Sequence, residues 1–126
     1  HKYTKVWTTL SFAQVGGLTV TSNFAPALVA PCSLEIDKAY GYVKTAPVGG
    51  TVIVDFKVND VSIFSSQADM VQIPSGSNAG ESATPAITTI VKNQVVTADI
   101  VSVGITTAGE DLTAHLRCLQ TLVEGP

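Results

Sequence analysis

The residues Thr51-Val-Ile-Val-Asp-Phe-Lys-Val58 decide the fold class of this chain. Alternate positions from Val52 to Val58 are apolar, and polar side chains occupy most of the positions between them, which is the pattern of a half-buried β-strand. Asn59-Asp60 follows the strand, and Val61-Ser-Ile-Phe64 follows that pair. Because Asn and Asp tolerate a positive φ angle, a tight turn and a β-hairpin are predicted here.

The same alternation recurs along most of the chain. Val95–Gly104 and Asp111–Cys118 are predicted to be strands, joined into a hairpin by the polar loop Thr106–Glu110. Met70–Pro74 is predicted to pair with Ala83–Val91 across a Gly- and Ser-rich loop. No repeat and no linker interrupts this pattern, so one domain is expected.

The N-terminal third adds further strands and one irregularity. Lys5–Phe12 and Leu18–Thr21 supply one or two strands. Between Cys32 and Val43 the apolar positions change phase, and a β-bulge near Lys38 would restore the register because one extra residue reverses the faces. The predicted fold is an all-β antiparallel sandwich of about eight or nine strands.

The composition favours strands and narrows the classes of protein to which the chain can belong. Val, Ile and Thr account for 40 of the 126 residues, and β-branched side chains pack well on a pleated sheet. Charged residues make up only 13% and the formal net charge is −3, which argues against disorder and against a nucleic-acid-binding face. No apolar run reaches the roughly 20 residues of a membrane-spanning helix. We therefore expect no nucleic-acid partner and no membrane insertion.

None of the common catalytic or cofactor motifs occurs in the chain. There is no nucleophile elbow, no zinc-protease motif, no phosphate-binding loop and no dinucleotide fingerprint. Cys32 and Cys118 are too few for a four-ligand zinc site, and His115 lies on the outward face of its strand with no marked nucleophile. Asp55 and Asp99 are interpreted as solvated carboxylates; a buried acid pair in a cleft would reopen the enzyme hypothesis. We expect no enzymatic activity, no metal and no cofactor.

Several of these segments, in their order and spacing, resemble a jelly-roll-like β-sandwich module that is common in the virion proteins of tailed bacteriophages. The segments are Tyr40–Gly50, Asn59–Phe64, the Gly/Ser loop at 75–80, Val95–Gly104 and Asp111–Leu116. The resemblance covers residues 25–119. It implies a jelly-roll-like sandwich without catalytic chemistry, and often a homotrimer.

The resemblance also implies a domain plan. A single domain would span residues 1–126, with the core sandwich at 25–119 and a tail at 120–126. N-terminal strands within residues 1–24 would contact another subunit or the rest of the virion. Trp7 and Phe12 are the expected residues of this oligomer interface, with the alternative that their strand covers the core of its own domain.

In a jelly roll the first core strand lies antiparallel beside the last. Cys32 begins the first and Cys118 ends the last, so the two cysteines are expected to be neighbours. A disulfide and two buried free thiols both remain open.

Candidate ligand contacts are the aromatic, amide and imidazole side chains that alternation or loop position exposes. Tyr40 and Tyr42 lie beside the predicted bulge, so one of them is expected to face solvent as a glycan contact. Asn78, in the Gly/Ser loop, and His115, on an outward strand face, are the other candidates.

Three functions are weighed. The first is a non-enzymatic, tail- or fibre-associated virion protein that presents or binds a host-surface receptor such as a glycan. The second is a capsid decoration protein that stabilises the head by clamping shell subunits. The third is a carbohydrate-binding module of a larger enzyme. The first two place the chain in an extracellular particle assembled in the host cytoplasm, in contact with other virion proteins.

Overall fold

Ten β-strands form two antiparallel sheets that pack face to face in the computed structural model, which describes residues 2–124. The strands are β1 (Lys2–Gly17), β2 (Leu28–Val29), β3 (Leu34–Thr45), β4 (Val52–Val58), β5 (Val61–Ser62), β6 (Val71–Ile73), β7 (Ala79–Glu81), β8 (Thr89–Ile90), β9 (Val95–Ser102) and β10 (Glu110–Glu124). One 3₁₀ turn, Gln67–Asp69, precedes β6. The predicted fold class, an antiparallel jelly-roll-like sandwich, is confirmed.

The two sheets have different strand orders. Sheet A runs β1-β10-β3-β7, with β8 also paired to β3. Sheet B runs β2-β9-β4-β5, with β6 also paired to β4. The predicted antiparallel pairing of the first long core strand with the last is confirmed, since β3 lies beside β10.

Two local features follow from the sequence as predicted. Asn59 and Asp60 have φ angles of 48° and 66°, and they close the β4–β5 hairpin in which Val58 pairs with Val61. The bulge near Lys38 is also present. Arg117 pairs with Lys38 and Cys118 pairs with Ile36, so Asp37 is the extra residue on β3.

Two predicted pairings are wrong because the connecting segments cross between the sheets. β9 belongs to sheet B and β10 to sheet A, so the segment joining them is not a hairpin loop. β6 pairs with β4 rather than with Ala83–Val91. The expected loop between them contains β7, which pairs with β3 in sheet A. Alternation fixes which face of a strand is apolar and leaves its partner open.

The core lies between the sheets and is built from the apolar positions of the alternating strands. The fully buried large side chains, each below 2% exposed, are Val43, Val52, Val54, Phe56, Ile63, Val71, Ile73, Ile90, Val96, Ile100, Leu112 and Leu116. Phe12 joins them at 2% exposure; its ring centroid lies 5.8 Å from that of Phe56 and 6.5 Å from that of Phe24. Phe12 is therefore a core residue, and its placement at an oligomer interface is wrong: β1 covers its own core there.

β10 continues past the position where the sequence suggested an end. It pairs with β1 from Glu110 to Glu124, so residues 120–124 belong to a strand and only 125–126 of the expected tail lie outside the described residues. Pairing of β10 with β3 stops earlier, at Leu119 opposite Glu35. β1 and β10 thus extend beyond the sandwich as a two-stranded ribbon.

The continuation of β10 past Cys118 also changes where the two cysteines lie relative to each other. Cys118 lies within β10 opposite Ile36, whereas Cys32 precedes the start of β3. Cys32 therefore lies four residues before the strand partner of Cys118. Both cysteines are free thiols, Cys118 buried and Cys32 half-buried. The strands are neighbours as expected, but Cys118 lies within its strand and not at its end.

Candidate interaction surface

The outer face of sheet A brings together four side chains from three strands, which we call the stacked row: Trp7, Arg117, Tyr40 and His115. The inward positions of β10 are buried at every second residue from Leu112 to Cys118, so His115 and Arg117 point outward. His115 pairs directly with Tyr40 of β3. Trp7 of β1 lies two positions from Thr9, the residue that pairs with Arg117.

Each member of the stacked row contacts the next, in the spatial order Trp7, Arg117, Tyr40, His115. The rings of Tyr40 and His115 are stacked, with centroids 5.4 Å apart and an interplanar angle of 21°. The guanidinium carbon of Arg117 lies 4.7 Å from the centroid of the Tyr40 ring and 4.9 Å from that of the Trp7 ring. Cation–π attraction to two rings therefore holds Arg117 between β1 and β3.

Asp37 fixes the direction of the Arg117 side chain. The Nε and Nη2 groups of Arg117 both donate to Oδ2 of Asp37, at 3.0 and 2.7 Å. These hydrogen bonds raise the pKa of Arg117 above its ordinary value. Asp37 is the extra residue of the bulge, so the phase change in the sequence supplies the carboxylate that orients the cation.

His115 remains uncharged at neutral pH in this setting. Partial burial lowers its pKa below the ordinary value of 6.5, and the nearby Arg117 lowers it further. A neutral imidazole can stack on Tyr40 without adding a second positive charge beside Arg117.

The predicted contact residues divide between this face and the loop that precedes β7. Tyr42 lies on the same face as the stacked row and is 53% exposed, while Trp7 is 58% exposed. Asn78 lies elsewhere. Its side-chain amide donates to the carbonyl oxygens of Val43 and Lys44 at 2.9 and 3.1 Å, so it holds the loop against β3.

Arg117 and Asp37 were not among the residues that sequence reasoning singled out. Alternation placed Arg117 on the outward face beside His115, and the phase change placed Asp37 next to the bulge. The sequence thus indicates where each residue lies on its own strand, but the contact between the two residues depends on the register of β3 against β10.

A carboxylate pair occupies the outer face of sheet B. Asp55 lies opposite Asp99 and is only 6% exposed, so its interpretation as a solvated carboxylate is wrong. The Ser62 hydroxyl donates to Asp55 at 2.7 Å. Asp99 accepts from the backbone N–H of Asn23 at 2.8 Å and pairs with the Lys57 ammonium at 3.1 Å. The pair is thus bound into the sheet by neutral and cationic donors.

A groove of about 350 Å³ opens where β3 separates from β10. Its lining residues are Cys32, Ser33, Leu34, Glu35, Thr89, Leu119, Gln120 and Thr121. Neither carboxylate of the sheet B pair lines it. Across residues 2–124 no three His, Cys, Asp or Glu side chains are grouped to hold a metal ion. The same part of the chain has no helix long and apolar enough to span a bilayer.

Neither a protein-family model nor a curated protein sequence matches the chain. Among solved structures, it is similar to a chain of the cyanophage Pam1 capsid asymmetric unit, with a TM-score of 0.56 at 12% identity over 93% of this chain and 85% of that one. A chain of the acidic stable capsid of Helicobacter pylori bacteriophage KHP30 matches with a TM-score of 0.48 at 17% identity, over 98% of this chain and 100% of that one. The Pam1 comparison shows a shared fold.

Proposed function

We propose that the chain is a non-enzymatic structural protein of a phage virion that binds capsid subunits through the outer face of sheet A. The observation that carries the proposal is the stacked row, in which Trp7, Arg117 and Tyr40 are already in contact on an exposed sheet face. The shared fold with a chain of the Pam1 capsid assembly supports the same reading.

The composition of the row suits a protein partner. Trp, Tyr and Arg are the residue types most often found at the energetic centres of protein interfaces. The row is also preorganised, because Asp37 and the two rings hold Arg117 before any partner arrives. Less side-chain entropy is then lost on binding than for a free arginine.

The ring contacts of Tyr40 favour a protein over a glycan at this point of the surface. Sugars stack on exposed ring faces. His115 and Arg117, two residues apart on β10, both lie against the Tyr40 ring, so little of the ring remains for a pyranose. A flat partner surface can instead cover the whole row.

Co-sedimentation with capsids assembled without this protein tests the proposal. We expect wild-type protein to sediment with the capsids, and Trp7→Ala or Arg117→Ala to weaken binding about tenfold or more. The matched control is Ile105→Ala, because Ile105 is 88% exposed in the segment between β9 and β10. Light scattering measures the mass of the free protein and so tests the homotrimer that the resemblance implies. Wild-type protein that stays in the supernatant at all concentrations would contradict capsid binding.

A receptor-binding role on a tail or fibre is the second candidate. Its supporting observation is that Trp7 and Tyr42 expose 58% and 53% of their surface on the outer face of sheet A, so each ring is open to stack on a sugar. Labelled protein should then bind host cells, and a free sugar should compete. The third candidate, a carbohydrate-binding module, would use the same exposed rings and would differ in being a monomer attached to an enzyme.

A further inference from the structure

Beyond Leu119, one edge of β10 has no strand beside it within residues 2–124. β1 pairs with β10 through Lys2 and Glu124, while the β3 ladder ends where Leu119 meets Glu35. The backbone N–H and C=O groups of residues 120–124 that point away from β1 therefore face the opening left by β3. Such an unpaired row of backbone groups is a template for another strand.

The groove of about 350 Å³ lies along the start of this edge. Gln120 and Thr121 of β10 form one side, and Ser33 and Thr89 line the groove from the β3 and β8 side. An incoming strand would thus meet backbone groups on one flank and side-chain walls on the other. Strand addition of this kind takes its affinity from the backbone and its specificity from such pockets.

The charge of the groove restricts its occupant. Glu35 is the one carboxylate among its lining residues, and the Lys5 ammonium pairs with it at 3.1 Å. The whole chain carries a formal net charge of −3. The groove is thus close to neutral within an acidic protein, so an uncharged extended segment fits it and an acidic one is disfavoured.

We propose that this groove accepts an extended, uncharged segment of a capsid subunit, which adds to β10 as a strand beside residues 120–124. The inference rests on the proposed function and extends it, because it names a second contact, which begins at Leu119, the strand partner of Trp7. The stacked row would bind a surface of the shell, and the groove would bind a segment of chain.

Cys32 reports on the groove directly. It is half-buried and lines the groove, so a maleimide should reach it in the free protein. Cys118 is the internal control: burial raises its pKa to about 11, and a thiol that is both protonated and enclosed reacts slowly. In native protein we therefore expect the maleimide to alkylate Cys32 rapidly and Cys118 slowly.

The experiment measures the rate of Cys32 alkylation by N-ethylmaleimide in free protein and in protein co-sedimented with capsids. We expect a slowing of about tenfold or more on binding. A bulky side chain in the groove, Thr89→Trp, should lower capsid affinity about tenfold, whereas Ser22→Trp at an exposed turn should not. An array of overlapping peptides from the major shell protein should contain an uncharged segment that wild-type protein binds and Thr89→Trp does not.

The outcomes separate the two proposals. Capsid binding with unchanged Cys32 alkylation and full affinity of Thr89→Trp would overturn the groove and leave the stacked row in place. Absence of binding to both capsids and peptides would overturn both. The alkylation measurement uses wild-type protein, so it decides the question even where Thr89→Trp fails to fold.

Discussion

Asp55 lies directly opposite Asp99 in the pairing of β4 with β9, so two carboxylates share one site on the outer face of sheet B. Burial raises the pKa of Asp55, and the facing Asp99 adds to the increase, while the Ser62 hydrogen bond opposes it. The folded state therefore holds a proton on Asp55 more tightly than the unfolded chain does. This contribution to stability is fully present below 3.8, the ordinary pKa, and is lost as the pH rises through the raised pKa.

Asp55→Asn should consequently stabilise the protein at neutral pH. The amide oxygen can still accept from Ser62, and the repulsion with Asp99 disappears. We expect the Tm of the variant to exceed that of wild type by a few degrees at pH 7, with the difference shrinking toward pH 3. Thermal unfolding followed by circular dichroism measures it. Asp60→Asn, in the exposed hairpin turn, is the control, and a lower Tm for Asp55→Asn at pH 7 would contradict the prediction.

Phe12 and Trp7 lie on opposite faces of β1 within five residues and should respond differently to truncation. Phe12→Ala leaves a cavity between Phe24 and Phe56, so the free energy of unfolding should fall by about 3–5 kcal/mol. Trp7→Ala should change it by less than about 1 kcal/mol and should instead weaken capsid binding. Urea denaturation compares the two variants. A stable Phe12→Ala protein that had lost only its self-association would restore the interface interpretation of Phe12.

His115 should titrate below its ordinary pKa of 6.5. Its contribution to stability is present above that value and is lost as the pH falls through the lowered pKa, since protonation places a second cation near Arg117. The NMR shift of the His115 ring protons against pH measures the pKa. Arg117→Ala should raise it part of the way back, because burial, the larger cause, remains. A wild-type pKa at or above 6.5 would refute the arrangement.

Gly80 occupies a point where β7 passes close to β6. A Cβ at Gly80 would overlap the carbonyl oxygen of Gln72 and lie 2.7 Å from its carbonyl carbon. Gly80→Ala should therefore destabilise the protein by about 2–3 kcal/mol. Gly17→Ala is the matched control, because nothing lies within 4 Å of a Cβ there. Equal unfolding free energies for the two variants would show that the sheets are less tightly closed at this corner.

The two cysteines should form no disulfide with each other when folded protein is exposed to a mild oxidant. Cys32 lies four residues before Ile36, the strand partner of Cys118, and both cysteines are free thiols. We expect an unchanged Tm and no loss of two hydrogens in the intact mass after treatment with oxidised glutathione. Cys32→Ser and Cys118→Ser, compared under the same treatment, identify the site of any adduct. An intramolecular disulfide would contradict the register at Arg117 and Cys118.

Local features were predictable because they depend on residues adjacent in the sequence. The Asn59-Asp60 turn and the bulge at Asp37 each follow from the backbone preferences or the phase of a few neighbouring residues. The separation of β9 and β10 into different sheets and the continuation of β10 past Cys118 were not predictable in this way. Both depend on which strands compete for the same edge, and alternation is satisfied by several partners.

The sequence by itself determined that this chain is an antiparallel sandwich with His115 and Arg117 on an outward face, because alternating polarity sorts side chains between core and solvent. Only the tertiary structure decided that Trp7, Arg117, Tyr40 and His115 touch. These residues come from three strands far apart in the chain, and their contact exists only once the register between those strands is set. The open edge of β10 has the same origin, since it appears where one partner strand ends before the other.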